Sequence, residues 1–155
     1  MLLFTIPCLF GLEGLVGDEL RRLGVQDVQV GNGRVQCRGT LADIPRLNLN
    51  LRCGERVLVC LGTFPALSFE ALFQGVASLP WEEFIPRDGQ FPVKGHSLDS
   101  QLHSVPYCQK FIKKAAARRL GEVYGLNQLP ETGAKYQIQF SLMRDQCALY
   151  LDTTG

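Results

Sequence analysis

The chain has 155 residues, 46% of them hydrophobic, which suits one ordinary domain or two small ones with a packed core. Its 16 basic and 15 acidic residues leave a formal net charge of +1. This balance excludes a protein that coats nucleic acid with a wholly basic surface, so any such affinity must come from local clustering of charge.

The first half of the chain begins with a strand, a helix and a hairpin. The apolar run at 2–8 predicts a buried strand. Apolar residues at helical spacing predict a helix over 12–23 that ends at Gly24. Two alternating segments flank Gly31-Asn32-Gly33, and this pattern predicts a hairpin because glycine and asparagine tolerate the positive φ of its turn.

A second helix and a last strand complete this half. The helix is predicted over 40–53 with Thr40 as its N-cap, and the strand over 56–64. The resulting order βαββαβ is that of a ferredoxin-like domain, which we place at 1–64 in a chain of class α+β. A domain of a different plan follows at 65–155.

The second half alternates helices and strands. Helical segments over 68–85 are interrupted at Leu79-Pro80, and a strand begins near Gln90. A long helix should begin after Ser104 and end at Gly125. After this helix, two segments that alternate apolar and polar residues predict a hairpin of two strands. The long helix should be a crossover that joins two parallel neighbouring strands.

The long helix carries the most informative charge pattern. Residues 104–121, SVPYCQKFIKKAAARRLG, contain no acid and five cations: Lys110, Lys113, Lys114, Arg118 and Arg119. At roughly 100° per residue, the first four fall within an arc of about 140° opposite an apolar side that includes Ile112 and Val123. Either this arc is the solvated face of a crossover helix, or it contacts nucleic acid. The absence of an acid in the run favours contact, because no intrahelical salt bridge explains the charge.

The sequence contains no pattern that predicts a catalytic site. We find no nucleophile–base pairing, glycine-rich cofactor loop or metal-ligand spacing, so no catalytic, cofactor-binding or metal-binding residue is assigned. The six scattered cysteines predict reduced thiols in a cytoplasmic protein, since an export signal is not recognised and no segment is long enough to span a membrane.

Four segments carry a resemblance to a known family: GLEGLVGDELRRLG at 11–24, NLNLRCGERVL at 48–58, FPVKGHSLDSQLHSVPYCQKFIKKA at 91–115 and YLDTTG at 150–155. Together and in this order they resemble the N-terminal half of bacterial THUMP-containing RNA methyltransferases, of the large-subunit ribosomal RNA guanine-N2 type. The resemblance implies a ferredoxin-like domain followed by a THUMP domain, which would bind structured RNA, ribosomal RNA above all. It assigns RNA contact to Lys94, Lys110, Lys113, Lys114 and Arg118.

The resemblance also implies a partner domain. A class I methyltransferase domain with an S-adenosylmethionine site is expected soon after Gly155, in which case this chain is a truncation or a fragment; otherwise it is a stand-alone relative. Two other classes stay open: a small-molecule regulatory module, and an adaptor that places a partner enzyme by protein contacts. RNA binding with a steep salt dependence would distinguish the RNA module from both.

Overall fold

The computed structural model describes residues 1–54 and 56–153 and divides into two compact units. The first comprises residues 1–60 with Asp152 and Thr153, and the second comprises residues 61–151. Among the residues it describes, no helix combines the length and apolarity needed to cross a membrane.

The first unit has the predicted order of elements. They are β1 Leu2–Pro7, α1 Glu13–Arg22, β2 Gln26–Val30, β3 Arg34–Gly39, α2 Asp43–Asn50 and β4 Leu58–Pro65, of which β4 continues into the second unit. The strands pair in the order β2-β3-β1-β4, and each pair is antiparallel. Alternate residues of the central strands, such as Phe4 and Cys37, are fully buried, and so are Val16 and Leu20 of α1. The predicted ferredoxin-like fold is therefore confirmed.

The start of α2 differs from the prediction. The helix begins at Asp43 after Ala42, and the Thr40 side chain caps no backbone N–H of the helix, so the assignment of Thr40 as N-cap is wrong. Instead, the Asp43 carboxylate accepts a hydrogen bond from the Thr40 backbone N–H at 2.8 Å and one from Arg46 at 2.9 Å. The two bonds, the first above all, lower the pKa of Asp43. A negative charge in the first helical turn interacts favourably with the positive N-terminal end of the helix dipole. Asp43 therefore stabilises the start of α2, as an N-cap residue would.

The second unit is a mixed sheet packed against two helices. Its further elements are α3 Phe69–Ala77, a 3-10 turn Trp81–Glu83, β5 Val93–Leu98, α4 Val105–Tyr124, β6 Ile138–Met143 and β7 Gln146–Asp152. The strand order is β4-β7-β6-β5, in which β5 and β6 are parallel and β6 and β7 form the predicted antiparallel hairpin. Arg144 and Asp145 make its two-residue turn with positive φ, as this class of turn requires.

One face of this sheet holds the core of the second unit. Side chains of β6 and β7 pack against α3, α4 and the 3-10 turn. Trp81 is the largest side chain that is fully buried, and its indole N–H donates to the Val76 carbonyl oxygen at 2.8 Å. The 3-10 turn follows the helix break predicted at Leu79-Pro80, and it joins α3 to the segment that leads into β5.

Burial makes two cysteines poor nucleophiles. It raises the pKa of Cys37 to about 11 and that of Cys147 to about 12, with a smaller contribution from a neighbouring Asp43 and Cys108 respectively. Because only the thiolate reacts, we expect iodoacetamide at pH 8 to modify both residues at least about 100-fold more slowly in the folded protein than in urea. Mass spectrometry of time-quenched samples measures both rates. Equal rates in the two conditions would contradict the buried positions.

Candidate nucleic-acid interface

Helix α4 runs for 20 residues and has one packed side. Its buried residues face the sheet; they are Cys108, Ile112, Ala115, Ala116 and Leu120. Gly125 ends the helix as predicted, with a φ of 67° and an N–H that donates to the Gly121 carbonyl. Val123 was expected on the packed side, but it is 47% exposed because Tyr124, not Val123, joins the core in the last turn.

Three cations line the solvent side of α4. Lys110, Lys114 and Arg118 are exposed and lie four residues apart, so they share one face of the helix. Neither lysine forms an ion pair with any residue that the structure describes. We call these three residues the α4 basic face. Its two unpaired lysines are available to a polyanion at no cost in broken ion pairs.

The third cation of this face has a local partner. Arg118 Nε lies 3.1 Å from Glu122 Oε1, and both side chains are more than half exposed. The expectation that no intrahelical salt bridge involves the basic run is therefore wrong, because Glu122 follows the run immediately. An exposed pair at this spacing stabilises a helix by only about 0.3–0.5 kcal/mol, so a phosphate can replace Glu122 as the partner of Arg118.

Lys113 does not belong to the α4 basic face. Its ammonium is half-buried, 2.5 Å from Glu131 Oε1 and 3.2 Å from the Phe91 carbonyl oxygen. The same Nζ atom lies 3.6 Å from the centre of the Phe91 ring. The expectation that Lys113 is on the solvated side is therefore wrong: it joins α4 to the segments before β5 and before β6. Its contact with RNA stays a prediction that would require these bonds to break.

Lys94 lies on the other side of the sheet from α4. Along β5, Lys94, His96 and Leu98 are exposed, whereas Val93, which points to the opposite face because side chains alternate along a strand, packs into the core that α4 covers. On the face of Lys94, His96 Nε2 is 3.2 Å from the Ser141 hydroxyl of β6. The structure thus brings Lys110, Lys114 and Arg118 together and leaves Lys94 apart from them. An RNA contact by Lys94 stays a prediction.

Arg119 lies outside the arc of the other four cations, and its side chain has a partner in the 3-10 turn. Its guanidinium donates two hydrogen bonds to Glu82, at 2.8 and 3.0 Å. The bonds from Arg119 lower the pKa of Glu82 against the opposing effect of burial, and the same pairing raises the pKa of Arg119. Arg119 therefore joins α4 to the 3-10 turn and is not available to a ligand.

This pairing predicts a pH dependence of stability. Because the folded-state pKa of Glu82 lies below its ordinary value of about 4.3, its contribution is complete above that value and is lost as the pH falls through the lowered pKa. We expect Glu82→Gln to reduce the free energy of unfolding at pH 7 and to have a much smaller effect at pH 3. Urea unfolding of both proteins at pH 7, 4 and 3 measures the difference. A difference that is constant with pH would contradict the pairing.

Aromatic residues flank the α4 basic face, and sequence reasoning missed them. Tyr107 is 57% exposed one helical turn before Lys110. Its ring contacts Phe69 of α3 edge to face, with centroids 6.3 Å apart, and Phe69 in turn stacks on Phe111 at 4.7 Å. On the same side, the Arg118 guanidinium lies 5.6 Å from the centre of the Phe73 ring. The signal in the sequence was the position of Tyr107, seven residues before Lys114 and hence on the same helix face.

A shallow depression borders the other flank of the same face. It has a volume of about 610 Å³, and its lining includes Lys114, Arg118, Ala117 and Gly121. A Cβ atom at Gly121 would lie 2.8 Å from the Leu126 carbonyl oxygen, so the backbone after α4 folds closely onto the helix here. Ala117 and Gly121 are small and leave room beside Lys114 and Arg118 for the backbone of a ligand, and Glu122 also lines the depression. No group of three or more metal-ligating side chains occurs in the described part of the chain.

Comparison with known proteins identifies the class. Residues 3–58 match the family model described as the RlmL ferredoxin-like domain, and residues 66–152 match the model of the THUMP domain. The second match covers more than half of the chain. The protein therefore belongs to the THUMP-domain family, with an RlmL-type ferredoxin-like domain before the THUMP domain.

Individual relatives agree with this assignment. The Bacillus subtilis protein named "Putative RNA methyltransferase YpsC" is 40% identical over 99% of this chain, which spans 40% of the relative. "Ribosomal RNA large subunit methyltransferase K/L" of Psychromonas ingrahamii is 28% identical over 100% of the chain, which spans 21% of it. The solved structure of SMU.472, described as "a putative methyltransferase complexed with SAH", has a TM-score of 0.96 and 42% identity, covering 99% of this chain and 42% of that one. The chain thus spans less than half the length of these relatives.

Proposed function

We propose that this chain is the substrate-recognition module of a ribosomal RNA methyltransferase. One observation carries the proposal: a THUMP domain presents Lys110 and Lys114 side by side on one helix face, exposed and without an acidic partner among the described residues. A merely solvated helix face would more often alternate its charges, as salt-bridge-laced helices do. Two adjacent uncompensated cations suit a ligand that carries regularly spaced negative charge.

The chemistry of the α4 basic face fits the RNA backbone. Lysine and arginine on long flexible stems neutralise phosphates and fix the orientation of the RNA, but they read little sequence. Structured RNA is recognised mainly through its shape and its backbone, which a row of cations on a helix can follow. The module therefore positions an RNA, and the choice of nucleotide belongs to another part of the enzyme.

The relatives support two finer parts of the proposal, the ribosomal RNA substrate and a further domain that binds the cofactor. Their names refer to RNA and to the large ribosomal subunit, and their length leaves room for a domain beyond the aligned part. SMU.472 binds SAH, which is S-adenosylmethionine after loss of its methyl group. In our proposal, a class I domain in the same polypeptide binds S-adenosylmethionine and methylates guanine N2 of cytoplasmic ribosomal RNA. This chain presents the RNA to that domain.

The test is the salt dependence of RNA binding. Each phosphate contact should lower the logarithm of the affinity by about 0.7–0.9 per log unit of salt. Three contacts on the α4 basic face thus predict a slope of about −2 to −3 for a ribosomal RNA stem-loop, measured by fluorescence anisotropy from 25 to 200 mM salt. If the chain binds no RNA at 25 mM salt, or binds it with no salt dependence, the proposal fails. An adaptor that acts through protein contacts then becomes the better account.

If methyl transfer is carried out by a separate domain, this chain should lack that activity. We expect the 155-residue chain to bind no S-adenosylmethionine and to transfer no methyl group to RNA, because it contains no glycine-rich cofactor loop. Isothermal titration calorimetry with S-adenosylmethionine measures the first expectation, and tritiated cofactor measures the second. Stoichiometric binding of the cofactor would show that this chain is more than the recognition module.

A further inference from the structure

We propose that Tyr107 is a stacking site for an unpaired RNA base, next to the phosphate contacts of the α4 basic face. This inference rests on the proposed function and adds a ligand class to it: RNA that carries a single-stranded segment beside its stem.

Tyr107 and the three cations lie on one side of α4. At roughly 100° per residue, Lys114 and Arg118 lie within about 20° of Tyr107 around the helix axis, and Lys110 lies about 60° away. The rise of about 1.5 Å per residue places Lys114 about 10 Å along the helix from Tyr107, with Lys110 between them. A strand that contacts both lysines through its phosphates and continues toward the N-terminus of α4 therefore reaches the tyrosine ring about one helical turn beyond Lys110.

The ring is fixed in place yet open to solvent. Phe69 contacts it edge to face, and Phe69 is itself held by stacking on Phe111. More than half of the Tyr107 surface is nevertheless exposed, although the two phenylalanines beside it are partly buried in the core. A supported aromatic ring with a free surface costs little conformational entropy when a base stacks on it.

The combination of this ring with adjacent cations selects the ligand. Aromatic side chains that lie beside basic residues bind unpaired bases, because every base has a π-face and stacking is tolerant of sequence. In a double-stranded stem the bases are already stacked on one another, so the stem offers phosphates to the lysines and no base to Tyr107. Tyr107 should therefore distinguish an RNA with an unpaired extension from a blunt stem.

The experiment compares two RNAs and three variants of the full chain. One RNA is a blunt double-stranded stem of ribosomal sequence without a loop, and the other is the same stem with a short unpaired 3′ extension. We expect Tyr107→Leu to weaken binding of the extended RNA about 5- to 100-fold, the range of one lost base stack, and to leave the blunt stem within about twofold. Tyr107→Phe keeps the ring and should bind both RNAs normally. Lys110→Gln with Lys114→Gln should weaken both.

A second measurement reports the stacking directly. With 2-aminopurine in the extension, the wild-type chain should quench its fluorescence on binding, and Tyr107→Leu at saturating concentration should not. Equal effects of Tyr107→Leu on the two RNAs, or full quenching by that variant, would overturn the stacking site. If the double lysine variant still weakens both RNAs in that case, the proposed function stands without it. If the wild-type chain binds neither RNA, the proposed function itself fails.

Discussion

Replacing Lys110 and Lys114 together by glutamine should weaken binding of a ribosomal RNA stem-loop by about 100-fold at 50 mM salt, because two phosphate contacts are lost. Two lost phosphate contacts should also flatten the salt slope by about 1.4–1.8 log units per log unit. Both side chains are exposed and neither forms an ion pair with a residue that the structure describes, so the melting temperature should change by less than about 2 °C. Anisotropy titrations at four salt concentrations and a thermal melt measure the three quantities.

The matched control removes the same charge elsewhere in the second unit. Arg87 and Lys135 are exposed and lie outside α4, so Arg87→Gln with Lys135→Gln changes the net charge equally. This control should retain most of the affinity and nearly the full slope. If both double variants lose affinity equally, the attraction depends on net charge alone and the α4 basic face has no special role. If neither loses affinity, α4 has only a solvated face.

Trp81→Ala should have the largest effect on stability, with a loss of about 3–5 kcal/mol in the free energy of unfolding. Trp81 is the largest fully buried side chain, and the substitution leaves a cavity between α3, α4 and the 3-10 turn. It also removes the indole N–H donor of the Val76 carbonyl. Such a loss is a large part of the total stability of an ordinary domain, so RNA binding should fall with it at 37 °C.

The neighbouring Glu83 provides the control for this stability prediction. It lies in the same 3-10 turn with its side chain exposed, so Glu83→Ala should change the free energy of unfolding by less than about 0.5 kcal/mol. Urea unfolding followed by circular dichroism measures both variants. A loss below about 1 kcal/mol for Trp81→Ala would mean that the site collapses around the smaller side chain and that the tryptophan does not organise this core.

The features that were predictable from the sequence have local causes. The hairpin at Gly31-Asn32-Gly33 follows from the conformations that these residues tolerate, and the end of α4 follows from Gly125. The parallel pairing of β5 with β6 follows from the helix that connects them, because parallel neighbours need a crossover of this length. These rules need only a few neighbouring residues or the order of elements. The division of the chain at 64/65 stays a prediction.

The features that were missed depend on partners distant in the sequence. Lys113 meets Glu131 from 18 residues away, and Arg119 meets Glu82 from 37 residues away, so helical periodicity alone could not assign them. Helical periodicity gives the side of the helix from which a side chain projects. Whether that side faces solvent depends on which loops pack against it. The predicted arc of cations on α4 therefore included Lys113, which the α4 basic face does not contain. The contacts of Lys113 with Glu131 and Phe91 explain this difference.

The parallel pairing of β5 with β6 has a consequence for the nascent chain. Val93 pairs with Ile138, so the two strands lie 45 residues apart in the sequence, and α4 occupies the interval between them. Contacts of such long range form late, because the closure entropy of the intervening loop must be overcome first. In a polypeptide still on the ribosome, α3 can therefore pack against α4, but the side of α4 that faces β6 and β7 stays uncovered until these strands have left the exit tunnel. The helix whose cations we assign to ribosomal RNA thus acquires its fixed orientation only near the end of this domain's synthesis, when the last two strands close the sheet beneath it.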